Sequence, residues 1–404
     1  MNMGWSMNRW IYSVAFLLVS VAVSFAGEPV PKGFSRPLEW RIGAQVTPAW
    51  VPATNDFLKG ENQDGRRIGT GLSGALRADF SFSPLTREGI LYKGLYQGVG
   101  ISANSLFSNE LLGTPVSLYL YQGAPIVHFN EALRLGYEWQ FGAAFGWKPY
   151  GGTNEGEDAP VSTSVTAHIG LGLKLDYALS DRWTMSFGVR ANHFSNGNTS
   201  WPNAGVNSIG AEIGLSYVVS PAREVSVEPV VCQEIVEAAD RRGWFYDIMV
   251  FGAWRKRAVY LGEPVEPKIC PGRFGVLGLQ FSPMYRINRF VAAGPALDMQ
   301  WDEGAGLAPY WVEGTDGDNI KFARPPFGKQ LSAGLSAHAE LTMPIFSVNA
   351  GLGYDIVNPK GNKRFYQSLT LKTFLTKYLY INVGYRLGEF RDPQNLMLGL
   401  GVRL

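Results

Sequence analysis

The stretch Trp183-Thr-Met-Ser-Phe-Gly-Val-Arg-Ala-Asn-His-Phe-Ser-Asn196 decides the fold of this chain. Apolar residues fill the odd positions from Trp183 to Ala191, and polar or small residues fill the even positions. This period of two predicts a β-strand with one apolar and one polar face. His193 and Ser195 continue the apolar row, where an unpaired polar group is costly to bury. The strand therefore carries a candidate base and a candidate nucleophile on its apolar face.

The same alternation recurs along the chain, most clearly in residues 133–147, 167–177 and 396–404. Segments of about ten alternating residues separated by turns are the signal of a transmembrane β-barrel. Aromatic residues such as Trp147 and Trp183 lie near strand ends, as in an interfacial girdle. In a soluble β-sandwich the two faces would exchange roles. We therefore predict an all-β membrane barrel with apolar residues outside and polar residues inside.

The N-terminus predicts export. Arg9 precedes an apolar run from Trp10 to Val23, and small residues stand at Ser24 and Ala26. This pattern predicts a signal peptide over residues 1–26, because the run is short for a transmembrane anchor. With the barrel pattern, it predicts the outer membrane of a bacterial cell.

The alternation predicts sixteen strands, an even number as is usual for bacterial barrels. Short connections are expected on the periplasmic side and long ones outside, which places residues 193–205 at the cell surface. A single sixteen-stranded barrel and two tandem eight-stranded barrels both fit, and the single barrel is the first choice. The predicted strands lie near 39–50, 71–82, 95–104, 115–122, 133–147, 165–178, 183–195, 205–219, 244–254, 273–286, 290–301, 331–342, 346–356, 365–375, 379–389 and 396–404.

An internal repeat indicates a duplicated eight-strand unit. Gly188, Arg190 and Phe194 match Gly384, Arg386 and Phe390 at a constant offset of 196 residues. Convergent alternation is the other explanation of this match. The predicted domains are residues 27–220, which carry the candidate site, a periplasmic linker at 221–243, and a diverged second unit at 244–404. In the second unit, Glu389 stands where His193 stands in the first.

Charge and motif content exclude other classes of function. The formal net charge is +2, so there is no electrostatic case for nucleic-acid binding. His168 and His338 alternate with lumen-facing charged residues, and we assign them to a lumen network rather than to a metal site. With no metal-ligand spacing and no phosphate-binding loop, the sequence predicts neither a metal nor a cofactor.

The segment from His193 to Gly205 resembles the signature of PagL-type outer-membrane lipid A 3-O-deacylases and of proteins called acyloxyacyl hydrolases. The His193-Phe-Ser-Asn196 core and Pro202-Asn-Ala-Gly205 carry the resemblance, which extends over residues 39–220. It implies an enzyme that hydrolyses an ester-linked acyl chain of lipid A. It also implies that Ser195 is the nucleophile, His193 the general base and Asn196 the contributor to the oxyanion hole. The implied partners are lipopolysaccharide, outer-membrane lipid and the barrel-assembly machinery.

The chain departs from the family pattern at one position. The family has a carboxylate about fourteen residues after the histidine, and this chain has Asn207 there. Asn207 belongs to the apolar row of its own strand, so it shares the membrane face with His193 and Ser195. We expect Asn207 to orient the imidazole, with less stabilisation of the imidazolium than a carboxylate gives.

Two other readings stay open at this point. The His-Ser pair could be ordinary polar residues at the membrane boundary of a non-catalytic structural barrel. A porin-like channel is a further alternative, which requires sixteen strands around an open, charged lumen.

Overall fold

The computed structural model describes residues 38–84, 86–149, 160–220, 229–261, 266–315, 319–358, 363–390 and 392–404. The predicted signal peptide, residues 1–26, lies outside the described residues, as does the first part of the predicted linker, residues 221–228.

The described residues form two closed antiparallel barrels of eight strands each, and each barrel belongs to its own compact unit. The first barrel closes where β1 pairs with β8, and the second where β18 pairs with β9. The first barrel consists of β1 Leu38–Trp50, β2 Thr70–Phe82, β3 Tyr96–Ser105, β4 Gly113–His128, β5 Leu133–Trp147, β6 Val165–Ala178, β7 Trp183–Ser195 and β8 Val206–Ser220. The second consists of β9 Gly243–Arg255, β12 Phe274–Arg286, β13 Val291–Asp302, β14 Leu331–Thr342, β15 Phe346–Val357, β16 Phe365–Phe374, β17 Leu379–Gly388 and β18 Asp392–Arg403. A separate hairpin of β10 Ala258–Leu261 and β11 Glu266–Ile269 follows β9.

The structure decides between the two predicted arrangements. The described strands close as two barrels of eight, so the single sixteen-stranded barrel is wrong and the tandem alternative is correct. The β10–β11 hairpin was not predicted; it lies between the predicted strands 244–254 and 273–286, where a connection was expected. Strand β4 is longer than predicted, since register shifts near Val116 and Val127 interrupt its alternation.

The outward face of the first barrel is apolar and its lumen is polar, as predicted. Leu171 is 62% exposed on the outside, whereas Glu138 is fully buried inside. In a water-soluble protein this distribution would be reversed. It suits a barrel whose outer wall contacts lipid.

Ion pairs lie inside both lumens. In the first barrel, Glu138 accepts hydrogen bonds from Arg77 at 2.5 Å and from Arg190 at 2.8 Å. In the second, Lys372 donates to both Asp247 and Glu340 at 2.6 Å. Buried charges of this kind are stabilised by ion-pair partners of opposite charge. A lumen packed with paired side chains does not offer the open channel that the porin alternative requires.

The internal repeat has a structural counterpart. Strands β7 and β17 are each the seventh strand of their barrel. Arg190 and Arg386, which match in the repeat, both point into a lumen and pair with carboxylates: Arg190 with Glu212 at 2.6 Å, and Arg386 with Asp355 at 2.6 Å. This equivalence supports a duplicated eight-strand unit.

Short helices lie in the connections between the strands. None of the helices in the described ranges is long and apolar enough to span a membrane. They are α1 Asp56–Lys59, α2 Arg87–Leu91, α3 Asn109–Leu112, α4 Pro229–Ala239 and α5 Phe327–Gln330, with a 3₁₀ turn at Ala308–Tyr310.

The long connections of the first barrel pack into an apolar cap over its long-loop end. Phe57 and Leu58 of α1 are buried in it, together with Trp147, Phe194 and Val206. These contacts fix the loops around the C-terminal end of β7.

Candidate active site

Two neighbouring strands, β7 and β8, carry the candidate residues His193, Ser195 and Asn207. His193 on β7 lies opposite Asn207 on β8 and opposite Ile169 on β6. Ser195 lies opposite Ala167. Because residues directly opposite in an antiparallel pair point to the same face, His193, Ser195 and Asn207 share the outer face of the barrel. The parity predicted from the sequence is confirmed for these three side chains.

A hydrogen bond fixes the imidazole. His193 Nδ1 lies 2.7 Å from Asn207 Oδ1. An amide oxygen can only accept a hydrogen bond, so Nδ1 carries the proton and its N–H donates a hydrogen bond to Asn207 Oδ1. The lone pair of His193 is therefore on Nε2, the nitrogen that a general base would use.

Ser195 follows His193 two residues along the same face, about 6.6 Å further along the strand. Within the part of the chain that the structure describes, no hydrogen bond joins the Ser195 hydroxyl to His193. Catalytic hydrogen bonds are often long in unliganded enzymes and shorten when substrate binds.

The depth of the pair follows from strand geometry. Trp183, at the start of β7, and His193 are ten residues apart. This is about 33 Å along the strand, or about 25 Å along the barrel axis at a tilt of about 40°. An apolar membrane band is also about 25 Å high. With Trp183 at the periplasmic interface, His193 and Ser195 lie at the outer boundary of the membrane, beneath the long loops.

Asn196 directly follows β7 and is 5% exposed. Its backbone N–H donates to Asn203 Oδ1 at 2.9 Å, and its side-chain amide donates to Ser162 Oγ at 3.0 Å. In this arrangement Asn196 ties the turn after β7 to the β5–β6 loop. Its predicted role in an oxyanion hole stays a prediction. No sequence signal points to Ser162 or to the Asn203 side chain, although Asn203 belongs to the Pro202-Asn-Ala-Gly205 motif.

Gly205 lies beside the imidazole of His193. Its backbone is in the left-handed region, with φ of 75°. A Cβ atom at this position would lie 3.1 Å from His193 Cε1 and 3.2 Å from the Phe194 carbonyl oxygen. Only glycine combines that conformation with such a close approach at little cost. The Pro-Asn-Ala-Gly sequence therefore has a steric function beside the imidazole.

Phe194, between His193 and Ser195, points into the barrel. Its ring stacks on His168 at 4.8 Å and meets the edge of Trp147 at 5.5 Å. These contacts anchor β7 from the lumen side, while the reactive side chains face outward. His168 thus belongs to the packing beneath the site, and the described residues contain no group of three or more His, Cys, Asp or Glu side chains that could hold a metal ion.

Two family models match the chain. The family model described as lipid A 3-O-deacylase (PagL) matches residues 39–216, which include the whole candidate site. The family model described as acyloxyacyl hydrolase, C-terminal domain, matches residues 244–404. No curated protein is significantly similar to the sequence.

Solved structures that resemble the chain are outer-membrane proteins. Neisserial surface protein A (NspA) is 13% identical, and the match covers 44% of this chain and 96% of that chain with a TM-score of 0.29. The siderophore receptor PirA from Pseudomonas aeruginosa is 9% identical, and the match covers 92% of this chain and 81% of that chain with a TM-score of 0.23. Because these TM-scores are low, the description of the fold rests on the strand pairing of this chain.

The two family matches correspond to the two barrels. The first contains all strands of the N-terminal barrel and the second all strands of the C-terminal barrel, apart from one to four residues at three barrel ends. The PagL family consists of outer-membrane ester hydrolases that act on lipid A. The chain belongs to the PagL family of lipid A 3-O-deacylases, with an acyloxyacyl hydrolase C-terminal domain as its second barrel.

Proposed function

We propose that the N-terminal barrel hydrolyses an ester-linked acyl chain of lipid A, with Ser195 as the nucleophile, His193 as the general base and Asn207 as the residue that orients His193. The observation that carries the proposal is the 2.7 Å hydrogen bond from His193 Nδ1 to Asn207 Oδ1 on the face that also presents Ser195. A packed structural barrel has no need of this polar group on its lipid-facing wall.

The chemistry follows from the three side chains. His193 Nε2 takes the proton of the Ser195 hydroxyl as the oxygen attacks the ester carbonyl carbon. The tetrahedral intermediate then expels the sugar oxygen, which receives that proton from His193, and the acyl chain remains on Ser195. A water molecule, deprotonated by His193, attacks the acyl-enzyme and releases the fatty acid. The proton returns to Ser195, so the enzyme is unchanged after one turnover.

The position of the site suits a membrane lipid. Ester-linked acyl chains of lipid A begin at its sugars, near the outer boundary of the apolar layer. Ser195 lies at that depth and faces outward, so the substrate can meet it laterally without leaving the membrane. We propose Asn196, or backbone amides of the turn that follows it, as hydrogen-bond donors to the oxyanion.

Asn207 sets a limit on the rate. It fixes the same imidazole tautomer that a carboxylate would fix, but it has no negative charge to stabilise the imidazolium formed during proton transfer. We therefore expect an active enzyme that is slower than one with a carboxylate at this position.

The test is mass spectrometry of lipid A from cells that express the wild-type chain, Ser195→Ala or His193→Ala. We expect the wild type to remove one acyl chain and both variants to leave lipid A intact. Glu389→Ala, at the repeat-equivalent position of the second barrel, is the matched control and should retain full activity. Heat-modifiable gel migration shows whether each variant is folded. Full activity in folded Ser195→Ala would disprove the assigned nucleophile, and unmodified lipid A with folded wild type would favour a non-catalytic barrel.

A further inference from the structure

Both backbone polar groups of Gly205 are held by loops that are distant in sequence. Its N–H donates to the Pro160 carbonyl oxygen at 2.9 Å. Its carbonyl oxygen accepts a hydrogen bond from Asn55 Nδ2 at 3.2 Å. Pro160 belongs to the β5–β6 loop and Asn55 to the β1–β2 loop. The residue that packs against His193 is therefore fixed from both sides.

Asn55 is itself held in place. It is 5% exposed, and its Oδ1 accepts a hydrogen bond from the Leu58 N–H at 3.0 Å, which caps helix α1. Leu58 and the neighbouring Phe57 are buried in the apolar cap of the barrel. One side of the Asn55 amide thus anchors the residue to the packed loop, while the other side bonds to Gly205.

The contact leads directly to the candidate catalytic residues. Gly205 lies against His193 Cε1, and the chain reaches Asn207 only two residues later. A shift of Gly205 would therefore change the packing against the imidazole of His193. It would also move the start of β8, which carries the hydrogen-bond partner of the imidazole.

We propose that Asn55 is a positioning residue for deacylation: its side-chain amide holds Gly205 against His193 and so keeps His193 and Asn207 aligned toward Ser195. This inference rests on the proposed function of the Ser195 site. Asn55 does not touch the reacting atoms, and its contribution is expected in kcat rather than in substrate binding. A misplacement of about 1 Å at a reacting group costs about 100-fold in rate.

Three substitutions separate the contact from the helix cap. Asn55→Asp keeps an oxygen to cap Leu58 but places a carboxylate against the Gly205 carbonyl oxygen, where two acceptors repel. Asn55→Ser keeps a neutral cap but loses the amide donor. Asn55→Ala loses both functions. The matched control is Thr86→Ala, which removes the hydroxyl that caps helix α2 at the opposite end of the same barrel.

The measurements are kcat and KM for purified lipid A in mixed micelles, together with the rate at which a fluorophosphonate probe labels Ser195 in folded protein. We expect Asn55→Asp and Asn55→Ser to lower kcat and the labelling rate by about 10- to 100-fold, with KM within about twofold of wild type. Thr86→Ala should match wild type in kcat and in the labelling rate. The probe reports the activation of Ser195 without requiring the lipid substrate.

The outcomes distinguish the two proposals. If wild type is labelled at Ser195 and the folded Asp and Ser variants are labelled equally fast, Asn55 has no positioning role although the proposed function stands. If a folded wild type is neither labelled nor active, the proposed function has failed. If only Asn55→Ala is impaired, the helix cap alone matters, and the inference is overturned.

Discussion

Asn207→Asp tests the orienting residue with the smallest change in shape. It replaces the amide that accepts from His193 Nδ1 at 2.7 Å with a carboxylate of nearly equal size. The new charge stabilises the imidazolium that forms as His193 takes the proton of Ser195. It stabilises the state before proton transfer, in which the imidazole is neutral, to a smaller extent. We therefore expect the substitution to raise kcat.

The magnitude can be worked from the distance. Two unit charges about 4 Å apart interact by about 4 kcal/mol at an effective dielectric constant of about 20. His193 and Asn207 are partly exposed at the membrane boundary, and exposed pairs yield much less than this. A net gain of about 1–2 kcal/mol corresponds to an increase in kcat of about 5- to 30-fold. Asn207→Ala, which removes the acceptor, should instead lower kcat by about 100-fold.

The assay is the initial rate of fatty-acid release from lipid A in mixed micelles, measured between pH 5 and pH 9. A carboxylate beside the imidazole favours its protonated form, so the acidic limb of the kcat/KM profile should move to higher pH in Asn207→Asp. Asn130→Asp adds the same charge in the exposed turn between β4 and β5 and is the control, with an unchanged profile expected. If Asn207→Asp leaves both the rate and the profile unchanged, Asn207 does not contact the catalytic imidazole during the reaction.

Four further predictions test the surrounding structure. Gly205→Ala should lower kcat at least 10-fold, because a methyl group would press on His193, and unfolding in urea should show a loss of about 1–3 kcal/mol from the strained backbone. Arg190→Met should lower the free energy of unfolding by about 3–5 kcal/mol, because two buried carboxylates lose a partner; an unchanged urea midpoint would contradict the ion-pair network. Planar-bilayer recordings should show no porin-sized conductance, since paired side chains fill both lumens. Burial raises the pKa of the Cys270 thiol to about 11, so at pH 8 iodoacetamide should modify the half-buried Cys232 first, and Cys270 should react only after unfolding.

Much of the candidate site was predictable because strand periodicity is local. The alternation around Arg190 and His193 places one side chain in the lumen and the other on the membrane face, and the structure confirms both. The family resemblance pointed to position 207, parity placed Asn207 on the same face as His193, and the β7–β8 pairing sets the two residues opposite each other. The bulged strand β4 was predicted too short, because a register shift breaks the period on which the prediction depends.

No local sequence pattern predicts the tertiary contacts around the site. Nothing in the sequence near Asn55 indicates that its amide reaches Gly205, because the two residues are brought together only when the barrel closes and its loops pack. The same holds for Ser162 and Asn196. Contacts of this kind depend on backbone positions that are set by the whole sheet.

The sequence by itself determined the sixteen barrel strands, the assignment of side chains to lumen or lipid, and the placement of His193, Ser195 and Asn207 on one face. It did so because the period of a strand fixes which way each side chain points. Only the tertiary structure decided between one barrel of sixteen strands and two of eight. That choice depends on whether β8 pairs with β1 or with β9, and either pairing satisfies the same alternation. The hydrogen bonds between the first and last strands of each barrel, together with the side chains that fill each narrow lumen, select two separate barrels.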